Sequence, residues 1–86
     1  MTKAHEHYQE AIRLRDRAIA GQTNQTPIQA WASVCRECAI ADWKRRAELK
    51  ADHNNSDNRF FRNLQQVWWF AKAQVETMQK QAAQHA

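Results

Sequence analysis

The strongest pattern in the chain is a stripe of apolar residues over residues 57–83, where apolar side chains recur every three or four positions. Spacing of this kind places side chains on one face of an α-helix. The stripe consists of Phe60, Phe61, Leu64, Val67, Trp68, Ala71, Val75, Met78 and Ala82. It continues for about three heptads and predicts a helix over residues 57–83, with Ser56 or Asp57 as its N-cap. We expect this helix to be the centre of the fold.

A first helix is predicted over residues 2–20, because apolar residues recur there at helical spacing and charged residues take the opposite face. The apolar set is Ala4, Tyr8, Ala11, Ile12, Ala18 and Ile19, and the charged set is Glu6, Glu10, Arg13 and Arg17. Gly21 is a suitable residue to end this helix, because glycine readily adopts the left-handed conformation that follows many helices.

A second helix is predicted over residues 27–52. Thr26 can accept a hydrogen bond from a free amide as N-cap, and Pro27 lacks the amide that would stay unpaired at the first helical position. The apolar stripe of this helix is Trp31, Val34, Cys35, Cys38 and Leu49. Asp42 and Arg45 fall within the same stripe, so the apolar face is less regular than that of the third helix.

Together the three helices predict an all-α fold, a small up-down-up three-helix bundle, because short connections make neighbouring helices antiparallel. The second and third helices are expected to be long, and residues 1–86 to form a single helical domain. One glycine and one proline are too few for the turns of an all-β fold. A core of this size gives only marginal stability, which makes a homodimer a candidate state.

Charge and composition narrow the classes of partner. The net charge of +4 favours acidic partners without requiring nucleic acid. No apolar run approaches the ~20 residues of a membrane span. Residues 1–5 also lack the apolar stretch of a secretory signal. We therefore expect a cytoplasmic protein with no membrane partner, in which the two cysteines are reduced thiols.

Cys35 and Cys38 have the CxxC spacing of metal and redox sites. A tetrahedral zinc site needs two further ligands, and antiparallel packing of the first two helices would bring His7, or His5, near the level of Cys38. Cys35, Cys38 and His7 are therefore weak candidate ligands. For redox chemistry a thiolate is usually stabilised at a helix N-terminus, whereas Cys35 lies about two turns inside the second helix. We interpret both cysteines as small buried apolar residues and expect no metal or other cofactor.

The sequence contains no recurring catalytic pattern. Its histidines lie near predicted helix ends or between the second and third helices, at His5, His7, His53 and His85. None of them forms a recurring catalytic arrangement with a Ser, a Cys or a carboxylate. A glycine-rich phosphate-binding loop is absent as well. We therefore expect a protein that is not an enzyme.

Trp69 and Phe70 fall outside the apolar stripe of the third helix when the helix is projected at ~100° per residue. The same sector holds Arg59, Arg62, Gln66, Ala73 and Thr77. In the second helix, Trp43 lies off the stripe together with Ile40 and Ala47. Trp, Phe and Arg are enriched at the centres of protein interfaces. The structural alternative is a helix packed on two sides, which would bury these aromatic rings inside the bundle.

Off-core aromatic residues predict a small, non-enzymatic helical module for protein–protein interaction, acting as a regulator, adaptor or inhibitor of a larger protein or protein complex. The residues expected to contact the partner are Trp69, Phe70, Arg62, Gln66, Arg59 and Trp43. Short, Trp-rich helical chains are also the kind of product with which phages and mobile elements inhibit host machinery, anti-CRISPR proteins included. This is a likeness of general type, and no shared motif carries it.

A second hypothesis is a nucleic-acid-binding regulator that uses a basic helical surface. Its residues would be Lys44, Arg45, Arg46, Lys50, Arg59 and Arg62. The supply of positive charge is partial, because the arginines of the first helix are interspersed with Glu10 and Asp16 at ion-pair spacing. The chain also lacks the short helix pair that precedes the recognition helix of a helix-turn-helix.

Overall fold

The fold, taken from a computed structural model that describes residues 2–51 and 57–84, is all-α. It consists of three helices: α1, Lys3–Ala20; α2, Pro27–Ala51; and α3, Asn58–Gln84. No β-strand occurs in the described residues. The predicted class, the three helices and the great length of α2 and α3 are confirmed. The predicted last residue of the second helix, Asp52, lies outside the described residues, as do Ser56, His53 and His85.

The ends of α1 are fixed by its flanking residues. Thr2 is the N-cap, and its hydroxyl oxygen accepts a hydrogen bond from the backbone amide of His5. Gly21 follows the last turn with φ 71°, and its amide donates to the carbonyl of Ala18. The amide of Gln22 donates to the carbonyl of Arg17, so two carbonyls that α1 leaves unpaired are satisfied. The predicted helix end at Gly21 is confirmed.

The starts of α2 and α3 follow the same chemistry. The hydroxyl oxygen of Thr26 accepts from the amide of Gln29, whose side-chain oxygen accepts in return from the amide of Thr26. This reciprocal pair is a capping box, and it confirms Thr26 as the N-cap of α2. Before α3, the Asp57 carboxylate accepts from the amide of Phe60, so Asp57 acts as the N-cap.

The central element of the bundle is α2, which packs along much of its length against both α1 and α3, while α1 and α3 touch each other at few points. The expectation that the third helix forms the centre is therefore wrong. The core contains Ala4, Ala11, Ala30, Trp31, Val34, Cys38, Ala41, Phe60, Leu64, Val67 and Ala71. Several of its members are alanines with no exposed surface, and such small side chains allow α1 to approach α2 closely. A thin, Ala-rich apolar face is thus sufficient to pack α1 against α2.

Two predicted core positions are exposed. Ile19 is 62% exposed, because it lies in the last turn of α1, beside a gap between α1 and α3. Ala82 is exposed because α3 continues past the start of α2. The ring of Trp31 in α2 contacts that of Phe70 in α3, so these two residues lie at the same level of the bundle. Beyond this contact α3 rises about 21 Å to its end, but α2 covers only about 6 Å back to its start.

Candidate functional site

The predicted partner-binding sector of α3 is exposed. Trp69 is 55% exposed and Phe70 46%. The other members of the sector are exposed as well: Arg59, Arg62, Gln66, Ala73 and Thr77. We call these seven residues the α3 outer face. The alternative, in which α3 is packed on two sides and buries both aromatic rings, is wrong.

The helical repeat explains why α3 exposes Trp69. The core face of α3 is formed by Phe60, Leu64, Val67 and Ala71. Trp69 follows Val67 by two residues, so its side chain points about 200° away from that of Val67. Trp68 lies closer to the core face and is half-buried against it. The two neighbouring tryptophans therefore have different environments although their residue type is the same.

Phe70 lies at the border between the α3 outer face and the core. Its ring meets that of Trp31 edge-on, with 5.4 Å between the ring centroids and an interplanar angle of 69°. Because Trp31 is only 5% exposed, this contact connects Phe70 to the core while nearly half of Phe70 remains open to solvent. Phe70 is thus an exposed ring on a fixed support.

A groove of about 390 Å³ lies between α1 and α3. Its lining residues are Tyr8, Arg15, Ile19, Asn63, Gln66, Val67 and Phe70. At one end the helices meet, because the ring of Phe60 lies 4.9 Å from that of His5 and 5.6 Å from that of Tyr8, centroid to centroid. At the other end the exposed side chains of Ile19 and Phe70 form the two walls. We call this feature the α1–α3 groove.

Ile19 is the residue of this surface that sequence reasoning missed. Its spacing fits the apolar stripe of α1, which predicted a core position. Only the position of α3, whose Phe70 stands across the groove, leaves Ile19 without a cover. Its place in the last turn, two residues before Gly21, was the one local signal that it could escape burial.

Trp43 does not belong to the same surface. It is 68% exposed on α2 and lies five residues after the buried Cys38, which is about 140° around the helix. The Nζ atom of Lys44 lies 5.7 Å from the centroid of the Trp43 ring. Trp43 is not among the residues that line the α1–α3 groove. The structure therefore brings Trp69 and Phe70 together but leaves Trp43 apart.

Half of the basic residues predicted for α2 are held in ion pairs. Arg45 is half-buried, with its Nη2 atom 3.0 Å from Asp57 and its Nη1 atom 3.4 Å from Glu48. Its guanidinium carbon lies 5.9 Å from the centroid of the Phe60 ring. These contacts explain how an arginine is accommodated in the apolar seam. They also keep Arg45 from an open basic surface.

Arg46 is paired on the neighbouring turn. Its Nε atom lies 3.0 Å from the Asp42 carboxylate, and its guanidinium carbon lies 4.8 Å from the centroid of the Phe61 ring. Within residues 2–51 and 57–84, the other members of the predicted basic surface make no ion pair; they are Lys44, Lys50, Arg59 and Arg62. Arg59 and Arg62 belong to the α3 outer face.

The two cysteines are free thiols, of which Cys38 is buried and Cys35 half-buried. Burial raises the pKa of Cys38 to about 12, and the neighbouring Cys35 and Glu37 add to the shift. Burial also raises the pKa of the half-buried Cys35. His7 faces the Glu37 carboxylate, with 2.6 Å between Nδ1 and Oε2. In the part of the chain that the structure describes, no three His, Cys, Asp or Glu side chains converge as a metal site would require.

We expect the two thiols to differ in reactivity. At pH 8 the raised pKa of Cys38 leaves almost no thiolate, and burial blocks access, so Cys38 should not react with a disulfide reagent such as DTNB in the folded protein. Cys35 should react slowly, since its pKa is raised as well. The Cys35→Ser variant, titrated with and without denaturant, isolates Cys38. Rapid labelling of Cys38 in the folded protein would contradict its burial.

Similarity to known proteins gives no further indication of function. Comparison of the chain with models of protein families, with curated proteins and with solved structures found no match. Among the helices of the described residues, none has a segment both long and apolar enough to cross a membrane. The function is therefore inferred from the chemistry of the α3 outer face and of the α1–α3 groove.

Proposed function

We propose that this protein is a small, non-enzymatic helical module that regulates a larger protein or protein complex by docking on it through the α3 outer face. The observation that carries the proposal is the exposure of two adjacent aromatic residues, Trp69 and Phe70, in one sector of one helix. The interaction would take place in the cytoplasm, where free thiols such as Cys35 and Cys38 stay reduced.

The size of the aromatic surface supports this proposal. Aromatic side chains present roughly 150–250 Å² each, so the half-exposed rings of Trp69 and Phe70 offer about 200 Å² together. Burying this area would contribute about 5 kcal/mol before the costs of association are subtracted. Large rings with few rotatable bonds lose little conformational entropy when they bind. Solvent exposure of such a patch has no structural benefit for the isolated chain.

The surroundings of the rings resemble the rim of an interface. Arg59, Arg62 and Gln66 lie on the same face and are exposed, so they are able to donate hydrogen bonds around an apolar centre. The nucleic-acid hypothesis has weaker support, because Arg45 is half-buried and held by the carboxylates of Asp57 and Glu48. Phosphate binding would have to rely on the remaining cations.

The proposal is tested with Trp69→Ala and, as a matched control on another helix, Trp43→Ala. Each tagged protein is used to capture partners from a lysate of the source cells, with and without nuclease, and the captured partner is then titrated directly. We expect Trp69→Ala to weaken binding about 30-fold, the typical loss at an interface hot spot. Trp43→Ala should change the affinity less than twofold, because Trp43 lies apart from the α3 outer face.

Two results would contradict this proposal. One is unchanged partner binding and self-association in a Trp69→Ala protein whose circular dichroism and melting temperature match those of the unmodified chain. The other is a partner that disappears with nuclease, combined with affinity that falls steeply as salt rises, which is the signature of phosphate contacts. An aromatic interface should depend only weakly on salt.

A further inference from the structure

The chain exposes more surface than its mass requires. Its accessible surface is 6236 Å², whereas a compact monomer of 10.1 kDa exposes about 5,300 Å². The last turns of α3, which extend past the start of α2, contribute to this excess. The open arrangement of the helices accounts for part of it, since α1 and α3 both pack on α2 but hardly on each other.

The α1–α3 groove has the geometry of a missing fourth helix. Phe60, early in α3, meets His5 and Tyr8, early in α1, whereas Phe70 faces Ile19 at the end of α1. The two helices therefore run in the same direction and flank a groove whose walls are exposed at Ile19 and Phe70. A helix laid between two helices that share a third neighbour completes a four-helix arrangement, the common way to cover such apolar walls.

The charge of the groove specifies which helix would fit. Beside the groove, Arg59 and Arg62 share the exposed α3 outer face with Gln66 and Phe70, which line the groove. Residues 58–75 include no Asp or Glu. On the α1 wall, Arg15 contacts the adjacent Asp16, but an exposed pair of this kind contributes little and leaves the arginine available. A second copy of the chain would bring the same positive wall to the interface, which opposes self-association. An acidic partner is the complementary one.

We infer that the α1–α3 groove binds an acidic amphipathic helix of the partner protein. Aliphatic side chains at positions i, i+3 or i+4, and i+7 of that helix insert between Ile19 and Phe70. Its Asp and Glu side chains pair with Arg15, Arg59 and Arg62 at the borders of the groove. The inference rests on the proposed function, because it specifies the chemistry of the partner that the module docks on.

The test is a selection that does not require the natural partner. A display library of helix-patterned peptides of about 18 residues, five turns in length, is selected against the immobilised full chain. We expect the enriched peptides to share an apolar stripe at helical spacing with Asp and Glu beside it. Their affinity should fall at least tenfold with Ile19→Ser, a change at an exposed position that leaves the fold intact.

A matched pair of charge reversals tests the electrostatic part. Arg62→Glu should weaken the selected peptides about tenfold, whereas Lys80→Glu, which changes the net charge equally on the exposed end of α3, should not. The inference is overturned if no peptide is enriched, if the enriched peptides are not acidic, or if they bind Ile19→Ser as tightly as the unmodified chain. A concentration-dependent dimer that excludes the peptides would also overturn the inference, because the groove would then bind a second copy of the chain.

The natural partner separates this inference from the proposed function. If the partner is lost with Trp69→Ala but retained with Ile19→Ser, the α3 outer face is the docking surface and the groove is not. If Ile19→Ser removes the partner and Trp69→Ala does not, the groove is the binding site and the proposed role of the outer face fails. If both variants lose the partner, the α3 outer face and the α1–α3 groove act as one continuous binding surface, with Phe70 common to both.

Discussion

Replacing Trp31 with alanine is expected to lower the free energy of unfolding by about 3–5 kcal/mol, the usual cost of removing a large buried aromatic side chain. Trp31 is 5% exposed in α2 and belongs to the same core cluster as residues from α1 and α3. Its ring also supports Phe70. Domains of this size have only about 4–13 kcal/mol of stability in total, so the loss removes a large share of it.

Urea titration followed by circular dichroism measures this effect, and Trp43→Ala is the matched control. The control removes the same side chain from the same helix at a position that is 68% exposed, so we expect a change within about 0.5 kcal/mol. If the two variants lost equal stability, the arrangement in which α2 buries Trp31 between its neighbours would be incorrect. A larger loss for Trp43→Ala would reverse the assignment of the α2 faces.

Replacing Asp57 with alanine is expected to cost about 2 kcal/mol, because this carboxylate has two roles at the start of α3. One oxygen accepts from the amide of Phe60, and loss of such a cap typically costs about 1 kcal/mol. The other oxygen lies 3.0 Å from the Nη2 atom of Arg45, which is half-buried against the Phe60 ring. Without Asp57, Arg45 keeps Glu48 alone as its ion-pair partner among the described residues.

The conservative variant Asp57→Asn separates the two roles. Asparagine caps helices as well as aspartate does, so Asp57→Asn should lose only the ion pair. Its loss in free energy of unfolding should therefore be about half of the loss in Asp57→Ala. Both free energies of unfolding come from urea titrations at low and high salt. Equal losses in the two variants would show that capping by Asp57 contributes nothing, and a loss below 0.5 kcal/mol in Asp57→Ala would contradict both roles.

The contrast between Trp69 and Ile19 shows how far the candidate site was predictable. Trp69 was predicted off the core because its angular position on α3 follows from the sequence positions of Phe60, Leu64, Val67 and Ala71. Ile19 shares the angular range of the α1 core residues, so its spacing along the helix does not mark it as exposed. Its environment depends on where α3 lies, and the distance between α1 and α3 is set by the packing of both on α2.

Arg45 and Asp57 illustrate a second limit. Asp57 was recognised as a candidate N-cap, since capping depends on residues within one turn. Arg45, by contrast, makes the predicted apolar stripe of α2 irregular. Its explanation is the ion pair with Asp57, which lies twelve residues away along the chain and becomes a neighbour only when α3 folds back on α2.

The sequence by itself determined the three helices, the cap at Thr26, a cap at Ser56 or Asp57, the stop at Gly21 and the position of Trp69 outside the apolar stripe. Each of these depends on hydrogen bonds or angular positions within a single helix, where spacing along the chain and spacing in the structure are the same. Only the tertiary structure decided that α2 is the central helix, that Ile19 faces Phe70 across an open groove and that Trp43 stands apart. These features depend on the distances between helices, which follow from the sizes of all the packed side chains together.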